Sequence, residues 1–227
     1  LFQKGPPQKN AIYINIGTGA FLQKFFDDQQ PETPRLLSSV VFSKKNLRQY
    51  ALEGTVNGAG AALAWFGKKN NISPWPKEAE TWLKNPSSPP LFINGVGGIG
   101  SPFWKPDIES HFIGKGNTAT QFTAVLESIL FLIQANLDEM NQSPEILILS
   151  GGLSVSDSLC QKLANLSNTP IQQSKEQEAT ARGLAYLLGK FEIKTSDSKI
   201  FHPHPAPELY RRYMRWLRTM STLPNKR

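Results

Sequence analysis

The chain has 227 residues, of which 39% are hydrophobic and 19% charged. This balance excludes disorder throughout and suits one sizeable domain or two small ones. The net charge is +7, but residues 201–227 hold six basic residues and one acid, which leaves +5 there and +2 elsewhere. A nearly neutral body excludes a general nucleic-acid-binding character, and no apolar run reaches the roughly 18 residues of a membrane span.

The first half of the chain predicts strands and then a helix. The apolar and β-branched segments predict strands at Ala11–Ile16, Ala20–Phe26, Leu36–Ser43 and Arg48–Glu53. A Gly-Thr-Gly turn joins the first two strands, which therefore predict a hairpin. Thr55–Lys69 has the spacing of a helix, and its Gly58 and Gly60 indicate unusually close packing against another element, because glycine is a poor helix former.

The second half predicts alternating helices and strands. Helices are predicted at Lys77–Lys84, Asn117–Met140, Val155–Leu166, Glu176–Leu188 and Glu208–Met220. Short strands are predicted at Leu91–Ile93, Glu145–Leu149 and Pro170–Gln172. Ser154 or Ser156 is suited to cap the third of these helices, and Pro203–Pro207 predicts a linker. The order of elements predicts an α/β fold in which helices cover a sheet.

Three predicted strand ends carry glycine: Gly17-Thr18-Gly19, Gly95–Gly100 and Gly151-Gly152. Each one alone is typical of a turn. Together they indicate phosphate binding, because a phosphate needs backbone amides to come close and a Cβ obstructs that approach. The sequence contains neither a GxxxxGK[ST] loop nor a dinucleotide fingerprint, since Ser-Pro-Phe-Trp follows the middle turn instead of a helix.

These turns, in this order, resemble those of the second domain of the FGGY carbohydrate kinases, in the glycerol kinase-like branch. The segments that carry the resemblance are Ile16–Phe21, Tyr50–Gly54, Ala59–Ala61 with Trp65, Gly97–Trp104, Leu126–Ile129, Ser150–Gly152, Ala179–Leu187 and Tyr210–Trp216. The resemblance implies an actin-like ATPase (ribonuclease H-like) fold, with a mixed sheet, antiparallel first strands and helices on both faces. It identifies residues 1–227 as one carboxy-terminal nucleotide-binding domain, with a basic helix and tail at 201–227.

The resemblance also implies a reaction and a set of site residues. The reaction is transfer of the γ-phosphoryl group of ATP, with Mg²⁺, to a hydroxyl of a sugar or polyol. The implied nucleotide-binding residues are Gly17, Thr18, Gly19, Gly60, Gly151, Gly152 and Ser156, and Phe21 is implied to pack on the substrate. Thr18 corresponds to the threonine that contacts the terminal phosphates.

Three positions depart from the family pattern. Ser150 replaces an acidic residue, Ser156 replaces an asparagine on the adenine side, and Ala64 stands where glycerol kinase has a glutamine near the base. We therefore expect adenine recognition to differ from the family more than phosphate recognition does.

The family's general base, the aspartate of a Gly-Asp-x-Gln segment, is expected before Leu1, together with the amino-terminal sugar-binding domain. The chain begins without Met and without a signal or transit peptide, and we interpret it as part of a longer protein. We therefore expect no catalytic residue here, weak nucleotide binding and no kinase activity from the chain alone. A non-catalytic ATP-binding or interaction module on the same fold is the alternative.

The expected partners are a sugar or polyol and the amino-terminal domain, and a homodimer stays open. No nucleic acid or membrane partner is expected, and the location is expected to be cytoplasmic, since the single Cys160 excludes an internal disulfide. Cys160 is predicted to be buried rather than nucleophilic. His202 and His204 are interpreted as solvated linker residues rather than metal ligands. The basic helix at 208–220 predicts docking by its apolar side, with an anionic partner as the alternative.

Overall fold

A seven-stranded mixed sheet runs through the computed structural model, which describes residues 2, 6–27, 29–45, 47–84, 88–174, 179–189 and 198–224. Its strands are β1 (Ala11–Ile16), β2 (Ala20–Asp27), β3 (Leu37–Lys44), β4 (Leu47–Val56), β7 (Ile146–Ser150), β8 (Ile171–Gln173) and β9 (Lys199–Phe201). They lie in the order β3-β4-β2-β1-β7-β8-β9. Strands β1, β7 and β8 are parallel, and the remaining pairs are antiparallel. Strands β5 (Leu91–Ile93) and β6 (His111–Ile113) form a separate antiparallel pair.

Helices pack on both sides of this sheet. They are α1 (Gly60–Asn70), α2 (Ala79–Lys84), α3 (Thr118–Met140), α4 (Asp157–Ser167), α5 (Ala179–Leu187) and α6 (Pro207–Thr222). Side chains alternate along a strand, so Ile12, Ile14 and Ile16 of β1 join the main core. Ala11 and Tyr13 form a small cluster on the opposite face. On α5, Tyr186 stacks on Phe2, which also contacts Phe25 of β2.

Helix α3 forms the centre of the main core. Among the described helices it alone has the length and composition to cross a membrane, but 78% of that apolar window is buried inside the protein. Asn117 caps its first turn by accepting a hydrogen bond from the Thr120 amide. Its buried Glu127 accepts hydrogen bonds at 2.7 Å from both Arg212 Nε and Nη2 and at 3.1 Å from Lys162 Nζ. This ion pair ties α3 to α4 and α6.

Two predicted helix starts were wrong. Thr55 and Val56 belong to β4, which pairs with β2 from Gln49 to Val56, so α1 begins at Gly60 instead of Thr55. Helix α4 begins at Asp157, because a single 3-10 turn at Gly152–Val155 comes first and Ser156 caps the helix. The first start was wrong because pairing with a distant strand overrides local spacing. The second was wrong because local hydrogen bonds, from the Ser154 and Ser156 amides to the Gly151 and Leu153 carbonyls, form a separate turn.

The remaining predicted elements are found close to their expected positions. The sequence did not indicate β6 and β9, which are three residues long and are held by pairing with β5 and β8 respectively. Residues 176–178 of the predicted fifth helix lie outside the described residues. Helix α6 docks by its predicted apolar side, because Leu209, Tyr213 and Trp216 are buried.

Candidate functional site

The first and third glycine turns lie side by side at one end of the sheet. β1 and β7 are adjacent parallel strands, and Asn15 pairs with Ser150 at their carboxyl ends. The backbone of Gly151 comes so close to β1 that a Cβ there would lie 2.6 Å from the Ile16 carbonyl oxygen. Ligands of open α/β sheets bind at this end of the parallel strands, so the two turns border the expected position of a ligand.

The start of α1 rests on the turn between β1 and β2. The amides of Ala59 and Ala61 donate to the Thr18 carbonyl at 3.0 Å, and the Gly60 amide donates to the Gly17 carbonyl at 2.9 Å. A Cβ on Gly60 would lie 2.7 Å from that same Gly17 oxygen. This contact confirms the close packing that was predicted from Gly60. It also occupies amides at the start of α1, so a phosphate must be received by other groups.

The middle glycine turn packs against the end of β4 and the residue that follows it. Asn57 Nδ2 donates to the Gly97 carbonyl at 3.0 Å, and a Cβ on Gly100 would lie 2.6 Å from the Thr55 carbonyl oxygen. Next to it, the buried Ser101 hydroxyl donates to Asn136 Oδ1 at 2.7 Å, and Asn136 Nδ2 donates to the Ser101 carbonyl at 2.9 Å. This turn therefore holds the end of β4 in place.

The glycines of the site fall into two groups. Gly19, Gly60 and Gly151 are crowded, since a Cβ would lie 2.8, 2.7 and 2.6 Å from backbone oxygens. Gly17 and Gly152 are not crowded: a Cβ on either would meet no atom of the described residues within 4 Å, and neither has a positive φ. Protein packing thus accounts for the first group, while the second leaves empty space beside its Cα atoms. The Gly17 amide itself already donates to the Gly19 carbonyl at 2.8 Å.

Ser156 does not face an open site. It is 5% exposed, its hydroxyl accepts a hydrogen bond from the Leu159 amide at 3.1 Å, and it donates to Glu80 Oε1 at 2.6 Å. Ala64 is exposed on α1, one turn beyond Gly60. Glu80 belongs to no motif, and no signal in the sequence could have indicated it, because its contact with Ser156 spans 76 residues.

Phe21, a predicted substrate residue, and Ser150, a departure from the family pattern, lie next to the paired turns. Phe21 is 54% exposed and is the register partner of Asn15 and Thr55. Its neighbours Ala20 and Leu22 point into the main core, so Phe21 lies on the opposite sheet face. Ser150 is buried, and its hydroxyl accepts a hydrogen bond from Asn15 Nδ2 at 3.1 Å.

The other reactive side chains do not form a site. Cys160 is fully buried, and burial raises the pKa of its thiol to about 12, so the thiolate needed for a nucleophile is not formed near neutral pH. In the part of the chain that the structure describes, no three His, Cys, Asp or Glu side chains cluster as metal ligands.

Comparisons with known proteins identify the family of the chain. Residues 12–190 match the family model described as "FGGY family of carbohydrate kinases, C-terminal domain". The chain is 31% identical to a glycerol kinase from Nitrosomonas eutropha over 188 residues, which cover 78% of this chain and 38% of that protein. A glycerol kinase from Methylobacterium nodulans is 30% identical over 194 residues, again with 78% and 38% covered. The chain thus spans well under half the length of these relatives.

Solved structures show the same fold. The structure of Plasmodium falciparum glycerol kinase with ADP superimposes with a TM-score of 0.77 at 19% identity, covering 92% of this chain and 46% of that one. A ligand-bound xylulose kinase from Lactobacillus acidophilus gives a TM-score of 0.74 at 20% identity, covering 94% and 46%. Together with the match over residues 12–190, these findings identify the chain as a member of the FGGY family of carbohydrate kinases, matched to its C-terminal domain.

Proposed function

We propose that the chain is the nucleotide-binding half of an ATP-dependent carbohydrate or polyol kinase, with residues 1–227 acting as one domain. The observation that carries the proposal is the pair of uncrowded glycines, Gly17 and Gly152, on adjacent turns. Side chains at both positions would fit the protein as it stands. Glycine there is explained by a ligand that must approach the backbone closely, as a phosphate does.

In this proposal the triphosphate lies across the ends of β1 and β7. The Thr18 hydroxyl, which is exposed on its turn, donates a hydrogen bond to a terminal phosphate oxygen. The turn at Gly151-Gly152 directs the first amides of the 3-10 turn toward the same anion. Gly19 and Gly60 act indirectly, because they allow β4 and α1 to hold the first turn in place.

Transfer of a phosphoryl group depends on positioning and on stabilisation of charge more than on covalent chemistry. Mg²⁺ would supply part of that stabilisation, and its ligands would be mainly phosphate oxygens and water. The residues of this chain would align the γ-phosphoryl group with an acceptor hydroxyl. Phe21, exposed beside the turns, would pack against the sugar or polyol.

The chain supplies the nucleotide side of this reaction only. No Gly-Asp-x-Gln segment occurs in its 227 residues, so we propose that the base which deprotonates the acceptor comes from an amino-terminal domain. Alone, the chain would bind nucleotide weakly and transfer nothing. We also propose a cytoplasmic location, as expected for a kinase that consumes ATP and has one buried free thiol.

The test is a titration of the purified 227-residue chain with ATP and with AMP by isothermal calorimetry. We expect ATP to bind measurably and more tightly than AMP, because the phosphates carry most contacts. A folded chain that binds neither nucleotide contradicts the proposed function. Release of ADP that depends on an added sugar would contradict the proposal that the catalytic base lies elsewhere.

A further inference from the structure

A cavity of about 720 Å³ lies between the end of α2, the outer side of α4, β9 and the start of α6. Its volume falls in the range of about 300–1,000 Å³ that is typical of sites for small molecules. The residues that line it include none of the predicted nucleotide-binding residues. The proposed function therefore leaves this cavity without a role.

Two cations on one wall of the cavity share a single carboxylate. Lys162 Nζ and Arg212 Nη2 both donate to Glu127 Oε1, at 3.1 and 2.7 Å, and Arg212 Nε donates to Oε2 at 2.7 Å. Lys162 and Arg212 line the cavity, whereas the Glu127 side chain lies behind them and is only 2% exposed. One negative charge thus faces two positive charges, which leaves a surplus of one positive charge at this wall.

The other charged residues of the cavity do not cancel this surplus. Asp157 pairs with Lys199 and Glu208 pairs with Arg211, and both carboxylates are more than half exposed. Water and salt screen such exposed pairs, whereas a mostly buried charge is screened much less. Lys84, which also lines the cavity, is exposed and adds a further positive charge. The cavity therefore favours an anion.

Hydrogen-bond donors remain available on the same side. Arg212 Nη1 and the other ammonium protons of Lys162 meet no acceptor among the described residues. Asn165, three residues further along α4, accepts with Oδ1 from Gln161 Nε2 at 2.8 Å and from the His204 amide at 2.9 Å. Its Nδ2 group also has no acceptor in the part of the chain that is described. A carboxylate accepts strong hydrogen bonds from cationic donors of this kind.

The rest of the cavity is largely apolar. Its apolar lining consists of Leu83, Phe201, Ala206, Pro207 and Leu209. Leu83, Phe201 and Leu209 belong to the main core, so packing against the rest of the protein holds this surface in place. An inorganic ion would leave the apolar lining in contact with water. A ligand with a carbon skeleton would remove that surface from water, which is favourable.

We propose that this cavity is a second ligand site, separate from the proposed nucleotide site, and that it binds a small carboxylate with an apolar body. The carboxylate accepts hydrogen bonds from Lys162 and Arg212 and balances their surplus charge. The apolar body lies against Phe201 and Leu209. A monoanion matches the single surplus charge better than a phosphate dianion does. The inference goes beyond the proposed function and requires no nucleotide.

A purely structural ion pair would connect α3, α4 and α6 in the same way without binding a ligand. The two explanations differ in how the cavity responds to the charge of a small molecule. A structural ion pair does not distinguish a carboxylate from a neutral amide of the same shape. A binding site distinguishes them, because only the carboxylate balances the surplus charge.

The experiment titrates the ¹⁵N-labelled 227-residue chain with phenylacetate, with phenylacetamide and with inorganic phosphate, and follows amide chemical shifts. We expect phenylacetate to shift signals of α4 and of the start of α6 with a dissociation constant of about 1 mM or below. Phenylacetamide has the same shape without the charge and should bind at least about tenfold more weakly. Phosphate should also bind more weakly than phenylacetate, because it has no apolar body.

Lys162→Gln keeps a donor and removes the charge, so phenylacetate affinity should fall about tenfold while phenylacetamide affinity stays the same. Lys68→Gln removes an exposed positive charge from α1, outside the cavity, and should leave both affinities unchanged. Equal losses in the two variants would assign the effect to the net charge of the protein and overturn the site. If Lys162→Gln does not fold, the comparison of phenylacetate with phenylacetamide on the wild-type chain decides.

Three results on the wild-type chain overturn the proposal. The first is the absence of shifts in α4 and α6 at about 10 mM phenylacetate. The second is equal affinity for phenylacetate and phenylacetamide. The third is tighter binding of phosphate than of phenylacetate, which contradicts the carboxylate as ligand. None of these results affects the proposed function, which is tested by ATP binding at the glycine turns.

Discussion

The phosphate end and the base end of the proposed site are built in different ways. The phosphate end consists of backbone, with two turns on adjacent strands whose glycines either pack against neighbouring chain or stay open. The base end, as the family resemblance implies it, consists of side chains: Ala64 is exposed on α1, and Ser156 at the start of α4 is hydrogen bonded to Glu80 of α2. Backbone geometry tolerates few substitutions, whereas side chains can be exchanged singly. The three departures from the family pattern, Ser150, Ser156 and Ala64, all exchange side chains and leave the glycines of the turns in place.

The largest expected effect is a difference in stability between alanine variants of the crowded and the uncrowded glycines. Gly151→Ala should lower the free energy of unfolding by about 3 kcal/mol, since alanine there is strained at a φ of +92° and its Cβ meets the Ile16 backbone. Urea denaturation followed by circular dichroism measures the loss. The neighbouring Gly152→Ala is the matched control and should change stability by less than about 1 kcal/mol. Equal losses in the two variants would show that the distinction is wrong.

The next effect concerns ligand binding at the open glycines. Gly17→Ala and Gly152→Ala should each weaken ATP binding about thirtyfold, or about 2 kcal/mol, because a methyl group displaces the phosphate from charge-assisted hydrogen bonds. Calorimetry measures the affinity, and a melting curve confirms that both variants fold. Unchanged affinity in both would remove the observation that carries the proposed function.

A smaller effect is expected from a single hydroxyl. Thr18→Val keeps the shape of the side chain and removes its donor, so ATP affinity should fall roughly tenfold, about 1.5 kcal/mol. Thr18→Ser retains the hydroxyl and should bind ATP nearly as well as wild type. AMP affinity should be the same in all three proteins. If AMP weakens as much as ATP, Thr18 does not contact the terminal phosphates.

The smallest effect tests the base end. Ala64→Gln adds an amide on the exposed face of α1, and we expect ADP to bind a few-fold more tightly, by about 0.5–1 kcal/mol. Affinity for inorganic pyrophosphate should stay unchanged, because pyrophosphate carries no base. The ratio of the two affinities, measured in one titration series, reports the change. A gain of equal size for both ligands would assign the effect to packing rather than to base recognition.

The sequence was sufficient for the strands and turns at the proposed phosphate end because the signals of these elements are local. Alternating apolar residues and Gly-Thr-Gly indicated β1, β2 and their turn, and Ser150-Gly151-Gly152 marked the end of β7. The start of α1 was wrong because Thr55 and Val56 pair with β2, which is more than thirty residues away. Pairing of this kind depends on the whole sheet.

The sequence was insufficient for two features of the site. It could not tell Gly151 from Gly152, since crowding by Ile16 appears only when β1 and β7 are adjacent. It also gave no indication of Glu80, to which the Ser156 hydroxyl donates a hydrogen bond at 2.6 Å. Side chains that meet across 76 residues leave no local pattern.

The central claim is that the turns at Thr18 and Gly152 receive one triphosphate together. A titration of the ¹⁵N-labelled chain with ATP, followed by amide chemical shifts, tests it most directly. We predict that the amide signals of Thr18 and Gly152 shift along one binding curve with the same dissociation constant, while those of α6 stay in place. Shifts confined to one of the two turns, or located elsewhere, would contradict the account.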